Sequence, residues 1–188
     1  MLDVGLVERA DAASPAVTEA LAESDLVWFA AGYGSALYDR VWGTPALAVL
    51  RHAHERGAAV GGVSAGAAVW GVGHLSDYAS LGDDEPYHLF GWLHDVVVFP
   101  HWFASREARF RQTVRAFPGC RGLAVAHGGA VAVRADGQID VVRQGMGGAT
   151  HATIRDADAH LDPVPIPNRP RLRRADLAAV DERVPPPP

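Results

Sequence analysis

Residues 61–70 read Gly61-Gly62-Val63-Ser64-Ala65-Gly66-Ala67-Ala68-Val69-Trp70 and contain the pattern Gly-x-Ser-x-Gly. An apolar run that ends in Val60 precedes the pattern, and small residues compatible with a helix follow it. This order is typical of a nucleophile elbow, a sharp strand-to-helix turn that exposes one serine at the edge of a sheet. Gly62 and Gly66 lack a Cβ, which allows the chain to turn tightly beneath Ser64. The segment therefore predicts an α/β fold with Ser64 as a candidate nucleophile.

Strands and helices alternate along most of the chain. The apolar pattern predicts strands over residues 25–30, 58–63, 95–99 (closed by Pro100) and 122–126. It predicts helices over 65–72 and 105–116, and two helices within 35–56, the second restarting at Gly43-Thr44-Pro45. Two further strands, 130–134 and 139–143, flank the turn-prone residues 135–138 and predict a hairpin. The expected fold class is α/β, a three-layer sandwich with a mostly parallel central sheet and an antiparallel hairpin.

The chain has 188 residues, a length that fits one domain with a tail. We expect a single α/β domain over residues 1–160. Residues 161–188 differ because prolines recur through them, and proline cannot donate a hydrogen bond to a strand ladder. This composition predicts a proline-rich C-terminal tail.

The composition excludes several classes of partner. The formal net charge is −5 and the first 160 residues contain no basic run, so nucleic acid is not an expected partner. No stretch approaches the ~20 apolar residues that span a bilayer, and no secretory signal is recognisable, so no membrane association is expected. The single cysteine, Cys120, cannot form an internal disulfide, which fits a cytoplasmic location. We expect neither a metal nor a cofactor.

A serine hydroxyl needs a base that accepts its proton and an acid that orients the base. His101 is the candidate base, because Phe99-Pro100-His101 ends a predicted strand and catalytic groups of open α/β sheets collect at the carboxyl ends of strands. The loop between Trp70 and Phe90 holds the candidate acids, namely Asp77, Asp83, Asp84 and Glu85.

An oxyanion would need two converging backbone N–H groups. The N–H of Ala65 is one candidate, since this residue directly follows Ser64. The turn Gly32-Tyr33-Gly34 follows a predicted strand, and its N–H groups are candidates for the second donor.

These segments resemble the peptidase E (α-aspartyl dipeptidase) and cyanophycinase group of serine peptidases, whose fold is similar to that of the class I glutamine amidotransferases. The resemblance runs from about Val17 to Val142. It rests on Asp25–Phe29 before the glycine turn, on Arg56–Ala67 and on Phe99-Pro100-His101. The interval from Ser64 to His101, 37 residues, is similar to the serine-to-histidine interval of the dipeptidases.

The resemblance implies hydrolysis of small peptides, such as aspartyl dipeptides or isopeptides, through an acyl-enzyme on Ser64. Asp77 is the first choice of acid because His74-x-Ser76-Asp77 is similar to a stretch in some members. Glu85 is the second choice, because some members use glutamate. Arg106 and Arg109 would pair with a substrate carboxylate.

Two departures from the group's pattern concern the site and the sheet. Tyr33 stands where the group usually has asparagine, so substrate placement or the oxyanion hole is expected to differ here. Members also usually carry a further strand and helix before the segment that matches Leu2 to Asp11. We therefore expect the sheet to lack its usual first strand, leaving an apolar edge that a homodimer could cover.

Two alternatives to a peptidase are consistent with the residues. One is a catalytically degenerate relative that keeps the turn but has lost activity. The other is an α/β-hydrolase-type esterase, because Ser64, Asp77 and His101 occur in that fold's chain order. The short chain and the short interval from serine to histidine argue against the esterase.

Overall fold

The computed structural model describes residues 5–75 and 85–164. Within these ranges the α-helices are α1 (Pro15–Ala22), α2 (Gly34–Val41), α3 (Pro45–Glu55), α4 (Ala65–Ala68) and α5 (Glu107–Arg115). Short 3-10 helices span Arg9–Ala13, Ala104–Arg106 and Met146–Gly148. The strands are β1 (Leu26–Phe29), β2 (Ala59–Gly62), β3 (Gly73–Leu75), β4 (Pro86–His88), β5 (Val96–Trp102), β6 (Arg121–Ala126), β7 (Ala130–Val133), β8 (Ile139–Arg143), β9 (Ala152–Ile154) and β10 (Asp162–Pro163). None of the described helices has both the length and the apolar character needed to cross a bilayer.

The first part of the fold is a parallel pair, β1 and β2, covered by helices. Helix α3 begins at Pro45, a position where the missing N–H costs no helical hydrogen bond. Leu47 and Leu50 lie three residues apart and therefore share one face of α3. Both are buried in a cluster with Val27 of β1 and Val41 of α2. This packing fixes the carboxyl ends of β1 and β2 at one edge.

The second part is built on β5 and β6, a parallel pair whose sheet continues through the antiparallel strands β9 and β10. Alternate side chains of β5 point to opposite faces. Val97 and Phe99 pack with Phe110 of α5, whereas Val96 and Val98 lie in a cluster against the β7–β8 hairpin. Burial on both faces explains why β5 begins with a continuous apolar run.

The predicted α/β class is confirmed, since parallel pairs, antiparallel pairs and helices alternate along the chain. The hairpin predicted around residues 135–138 is also present as β7 and β8. Helix α4 is shorter than the predicted segment 65–72. The short strands β3, β4, β9 and β10 were not part of the sequence prediction.

The prediction that Pro100 ends the strand over residues 95–99 is wrong. Strand β5 continues to Trp102, with a shift of register between Phe99 and Trp102. Proline cannot donate to the ladder, but a bulge removes its residue from regular pairing. Pairing with β6 then resumes between Trp102 and Ala126.

The structure bears on both ends of the domain predicted over residues 1–160. Among the described strands β1 pairs only with β2, and the side chains of Leu26 and Trp28 are each 60% exposed. The homodimer across this edge stays a prediction.

Strand β10 and the buried Val164 lie beyond residue 160, so the sheet extends past the predicted end of the domain. The rest of the predicted tail lies outside the described residues.

The turn between β2 and α4, which we call the Ser64 turn, depends on two glycines. A Cβ on Gly62 would lie 2.1 Å from the carbonyl oxygen of Gly66. A Cβ on Gly66 would lie 2.3 Å from the carbonyl oxygen of Phe29. Both contacts are with backbone atoms, which cannot move aside as a flexible side chain can.

We predict that Gly62→Ala and Gly66→Ala each lower the free energy of unfolding by at least about 1–3 kcal/mol, the usual cost of overpacking. Gly5→Ala is the matched control, because nothing lies within 4 Å of a Cβ built there. Urea denaturation of the three variants checks this. Equal stability of Gly66→Ala and Gly5→Ala would contradict the close packing of the turn.

Candidate active site

Ser64 connects β2 to α4 in a backbone conformation that side-chain-bearing residues rarely adopt. Its φ is 56° and its ψ is −120°. Such a residue persists only where the surrounding structure enforces it. Here the enforcement comes from the close approach of Gly62 to Gly66 and of Gly66 to the end of β1. The strained backbone leaves the Ser64 side chain partly accessible in a cleft.

His101 reaches the same cleft from the bulge of β5. Its φ is also positive, at 55°, and Ser64 and His101 are the two non-glycine residues with positive φ in the described part of the chain. The Nε2 atom of His101 lies 2.8 Å from Oγ of Ser64. This is hydrogen-bond distance, so the base and the nucleophile predicted from sequence meet in the structure.

The environment of His101 favours the neutral imidazole. The pKa of His101 is lowered from its ordinary value, first by burial of the ring and then by the neighbouring His127 and Arg106. Burial disfavours the imidazolium ion, and so does the permanent positive charge of Arg106. The ring therefore keeps its ability to accept a proton from Ser64 at lower pH than an exposed histidine would.

The second nitrogen of His101 contacts a residue that the sequence prediction missed. Nδ1 of His101 lies 3.0 Å from Nδ1 of His127. His127 directly follows Ala126, the last residue of β6, which is the parallel neighbour of β5. His101 was selected because it is a histidine at the carboxyl end of a predicted strand. The same argument applies to His127, which follows the strand predicted over residues 122–126, and would have identified it as a site residue.

The two preferred acids have different outcomes. Asp77 lies outside the described residues. Glu85 is exposed and directly precedes β4. Both ring nitrogens of His101 are in contact with described residues, Ser64 and His127, and Glu85 is neither of them. The structure therefore does not bring Glu85 to the ring of His101.

The cleft beside Ser64 has a volume of about 150 Å³. It contains most of the residues predicted for oxyanion and substrate binding. Its lining consists of Gly32, Tyr33, Gly34, Ser35, Ser64, Ala65, Ala68, His74, Leu75, Tyr87, Pro100, His101 and Arg106.

Two predicted oxyanion donors begin helices that open onto this cleft. Ala65 is the first residue of α4, and Gly34 is the first residue of α2. The first N–H groups of a helix have no intrahelical acceptor. These N–H groups are therefore available to an anion on the Ser64 side of the cleft, together with the turn residue Gly32.

The structure places two of the three predicted substrate-binding residues along the cleft and the third elsewhere. Arg106 lines the cleft, where its Cζ lies 4.8 Å from the centroid of the Phe99 ring and its Nη1 donates to the carbonyl oxygen of His101 at 3.3 Å. Tyr33 also lines the cleft and is 55% exposed. Arg109 is not among the lining residues, and its Nη1 donates to Oε1 of Gln112.

Comparison with known families agrees with this geometry. The model of peptidase family S51, the peptidase E and cyanophycinase family, matches residues 2–141. The chain belongs to peptidase family S51. This confirms the resemblance predicted from the motifs around Ser64 and His101 and argues against the α/β-hydrolase alternative.

A solved structure also resembles this S51 chain. It is described as a peptidase from an acI-B1 actinobacterium, with 19% sequence identity and a TM-score of 0.68. The similarity covers 88% of this chain and 66% of that protein, so the chain spans less than two thirds of its length. At this identity the likeness shows the fold alone. No curated protein sequence matches the chain significantly.

We predict that Arg106→Gln raises the pKa of His101. Removing a positive neighbour makes the imidazolium less unfavourable, whereas burial and His127 continue to lower the pKa. The measurement is an NMR titration of the His101 ring in both proteins. Arg115→Gln, at the far end of α5, is the control and is expected to leave the titration unchanged. A His101 titration that is identical in wild type and Arg106→Gln would refute the assigned cause.

Proposed function

We propose that this S51 chain is a serine peptidase that cleaves small peptides through an acyl-enzyme on Ser64. The observation that carries the proposal is the 2.8 Å contact between Oγ of Ser64 and Nε2 of His101. In this view the Ser64 turn is a nucleophile elbow, because it presents the hydroxyl at the carboxyl end of β2 with helix α4 behind it.

The proposed reaction begins with transfer of the Ser64 proton to Nε2 of His101 as Oγ attacks the peptide carbonyl carbon. The lowered pKa of His101 supports this role, because the base must be neutral to accept the proton. Negative charge then develops on the carbonyl oxygen, within reach of the N–H of Ala65 and of the N–H groups at Gly32 and Gly34. The His101 imidazolium next returns its proton to the leaving amine, which breaks the C–N bond. Water, activated by the same ring, hydrolyses the acyl-enzyme.

Arg106 supports an acidic substrate. Its guanidinium group is the permanent positive charge among the described residues that line the cleft. It is partly buried, and Phe99 and the backbone of His101 hold it close to the base. Guanidinium groups bind carboxylates with two parallel hydrogen bonds. We therefore propose aspartyl peptides as the preferred substrates, with Tyr33 at the open side of the cleft.

A fluorophosphonate probe tests the nucleophile without requiring the natural substrate. We expect the folded protein to form a covalent adduct at Ser64, located by peptide mass spectrometry, because Oγ displaces fluoride from phosphorus while His101 accepts the proton. Ser64→Ala is expected to abolish the adduct. Ala67→Ser, which places an extra hydroxyl on α4, is the matched control and should not create a second labelled site. A folded wild-type protein that never reacts would instead support the degenerate relative.

Two dipeptides that differ only in charge, Asp-Leu and Asn-Leu, test the role of Arg106. We expect Arg106→Gln to lower kcat/KM for Asp-Leu relative to Asn-Leu by about tenfold or more, since a hydrogen bond to a charged group is worth about 1.5–3 kcal/mol. The ratio of the two substrates cancels any change in the basicity of His101. Arg115→Gln should leave the ratio unchanged, and an unchanged ratio in Arg106→Gln would exclude Arg106 as the carboxylate partner.

A further inference from the structure

We infer that His127 is a positioning residue that orients His101 through a neutral imidazole, in the place where the resemblance implies a carboxylate. The inference rests on the proposed function, because it concerns the base of the same reaction. Under this inference, the described part of the site contains a chain of hydrogen bonds that runs from Ser64 through His101 to His127.

The contact between the two rings determines which nitrogens carry protons. A hydrogen bond between Nδ1 of His101 and Nδ1 of His127, 3.0 Å apart, requires one donor and one acceptor. Nε2 of His101 must be unprotonated to accept the proton of Ser64. The proton of the neutral His101 ring is therefore on Nδ1, which donates to His127. It follows that Nδ1 of His127 is the acceptor and that a neutral His127 carries its own proton on Nε2.

The position of the His127 ring is set by three contacts. Its backbone N–H donates to the carbonyl oxygen of Trp102 at 3.1 Å, which ties the end of β6 to the end of β5. Its carbonyl oxygen accepts from the N–H of Met146 at 2.8 Å. Its ring stacks on Phe103, with centroids 5.0 Å apart and planes inclined by 29°. A ring held in this way presents Nδ1 in one direction, as an orienting residue must.

The proton balance of the first step is complete without an acid. Oγ of Ser64 forms a bond to the electrophile and loses its proton to Nε2 of His101. The resulting imidazolium keeps its Nδ1 proton, which remains hydrogen-bonded to the neutral His127. His127 gains no proton in this step, and its contribution is to fix the tautomer and the orientation of His101.

A neutral partner differs from a carboxylate in its effect on the base. A carboxylate would stabilise the imidazolium ion and raise the pKa of His101, whereas a neutral ring does not. The other titratable or charged residues that the described part of the chain places along the cleft with His101 are Tyr33, His74, Tyr87 and Arg106. Replacing His127 by a carboxylate therefore has a defined consequence. The pH at which the base becomes active should rise.

Three substitutions separate the hydrogen bond from the shape of the ring. His127→Phe keeps an aromatic ring against Phe103 but has no acceptor. His127→Asn keeps an acceptor oxygen near the place of Nδ1 but has no ring. His127→Asp supplies a charged acceptor. The readout is the second-order rate of fluorophosphonate labelling at Ser64 as a function of pH, with thermal unfolding recorded for each variant.

We expect His127→Phe to slow labelling by about tenfold or more, and His127→Asn to recover most of the wild-type rate. In His127→Asp the midpoint of the acidic limb should lie at higher pH than in wild type. If His127→Phe does not fold, the other two variants provide the test. The inference then requires a raised midpoint in His127→Asp and a near-wild-type labelling rate in His127→Asn.

The outcomes separate this inference from the proposed function. Labelling of His127→Phe at the wild-type rate, while Ser64→Ala remains unlabelled, would overturn the role of His127 and leave the peptidase proposal intact. An unchanged midpoint in His127→Asp would also overturn it. A wild-type protein that the probe does not label would overturn the proposed function, and the role of His127 with it.

Discussion

The hydrogen bond between Oγ of Ser64 and Nε2 of His101 is the interaction on which the proposed chemistry of this protein depends. Its two partners lie 37 residues apart in sequence and belong to different parts of the sheet structure. Each is held at a positive φ, a conformation that costs a residue with a side chain of order 1–3 kcal/mol. The site is therefore assembled from two strained backbone positions, each of which aims one side chain at the other.

The strain at the two positions is maintained by different means. At Ser64 the surrounding glycines allow backbone segments to approach so closely that a single added carbon atom would clash. At His101 the ladder between β5 and β6 supplies the constraint, because Pro100 interrupts the pairing and Trp102 restores it. The bulge between them turns the histidine out of the regular alternation of β5 and toward the cleft. Pro100, which breaks the strand pattern locally, thus creates the geometry of the proposed base, His101.

The charge around His101 is also determined by the fold. Burial, His127 and Arg106 all lower the pKa of His101, and a neutral imidazole is the form that accepts a proton from a serine. The guanidinium of Arg106 stacks on Phe99, a core residue of β5, so the positive charge of the cleft is anchored to the same strand as the base. The end of β5 and the residues that directly follow it therefore carry both His101, the proposed base, and Arg106, the group proposed to bind an acidic substrate.

Local sequence determined those features that depend on neighbouring residues. The pattern around Ser64 specified the turn, because only glycine fits at positions 62 and 66, and the apolar runs specified most of the strands and helices. His101 was identifiable because it follows an apolar run, although the bulge that positions it was not. The partner of its second nitrogen was decided by the tertiary structure alone. Which residue faces Nδ1 of His101 depends on β6 lying parallel to β5 and ending beside it, a pairing between segments separated by helix α5. The family resemblance favoured Asp77, which lies outside the described residues, and Glu85. Strand pairing brought His127 to the ring, because contacts across a sheet are set by register and not by distance along the chain.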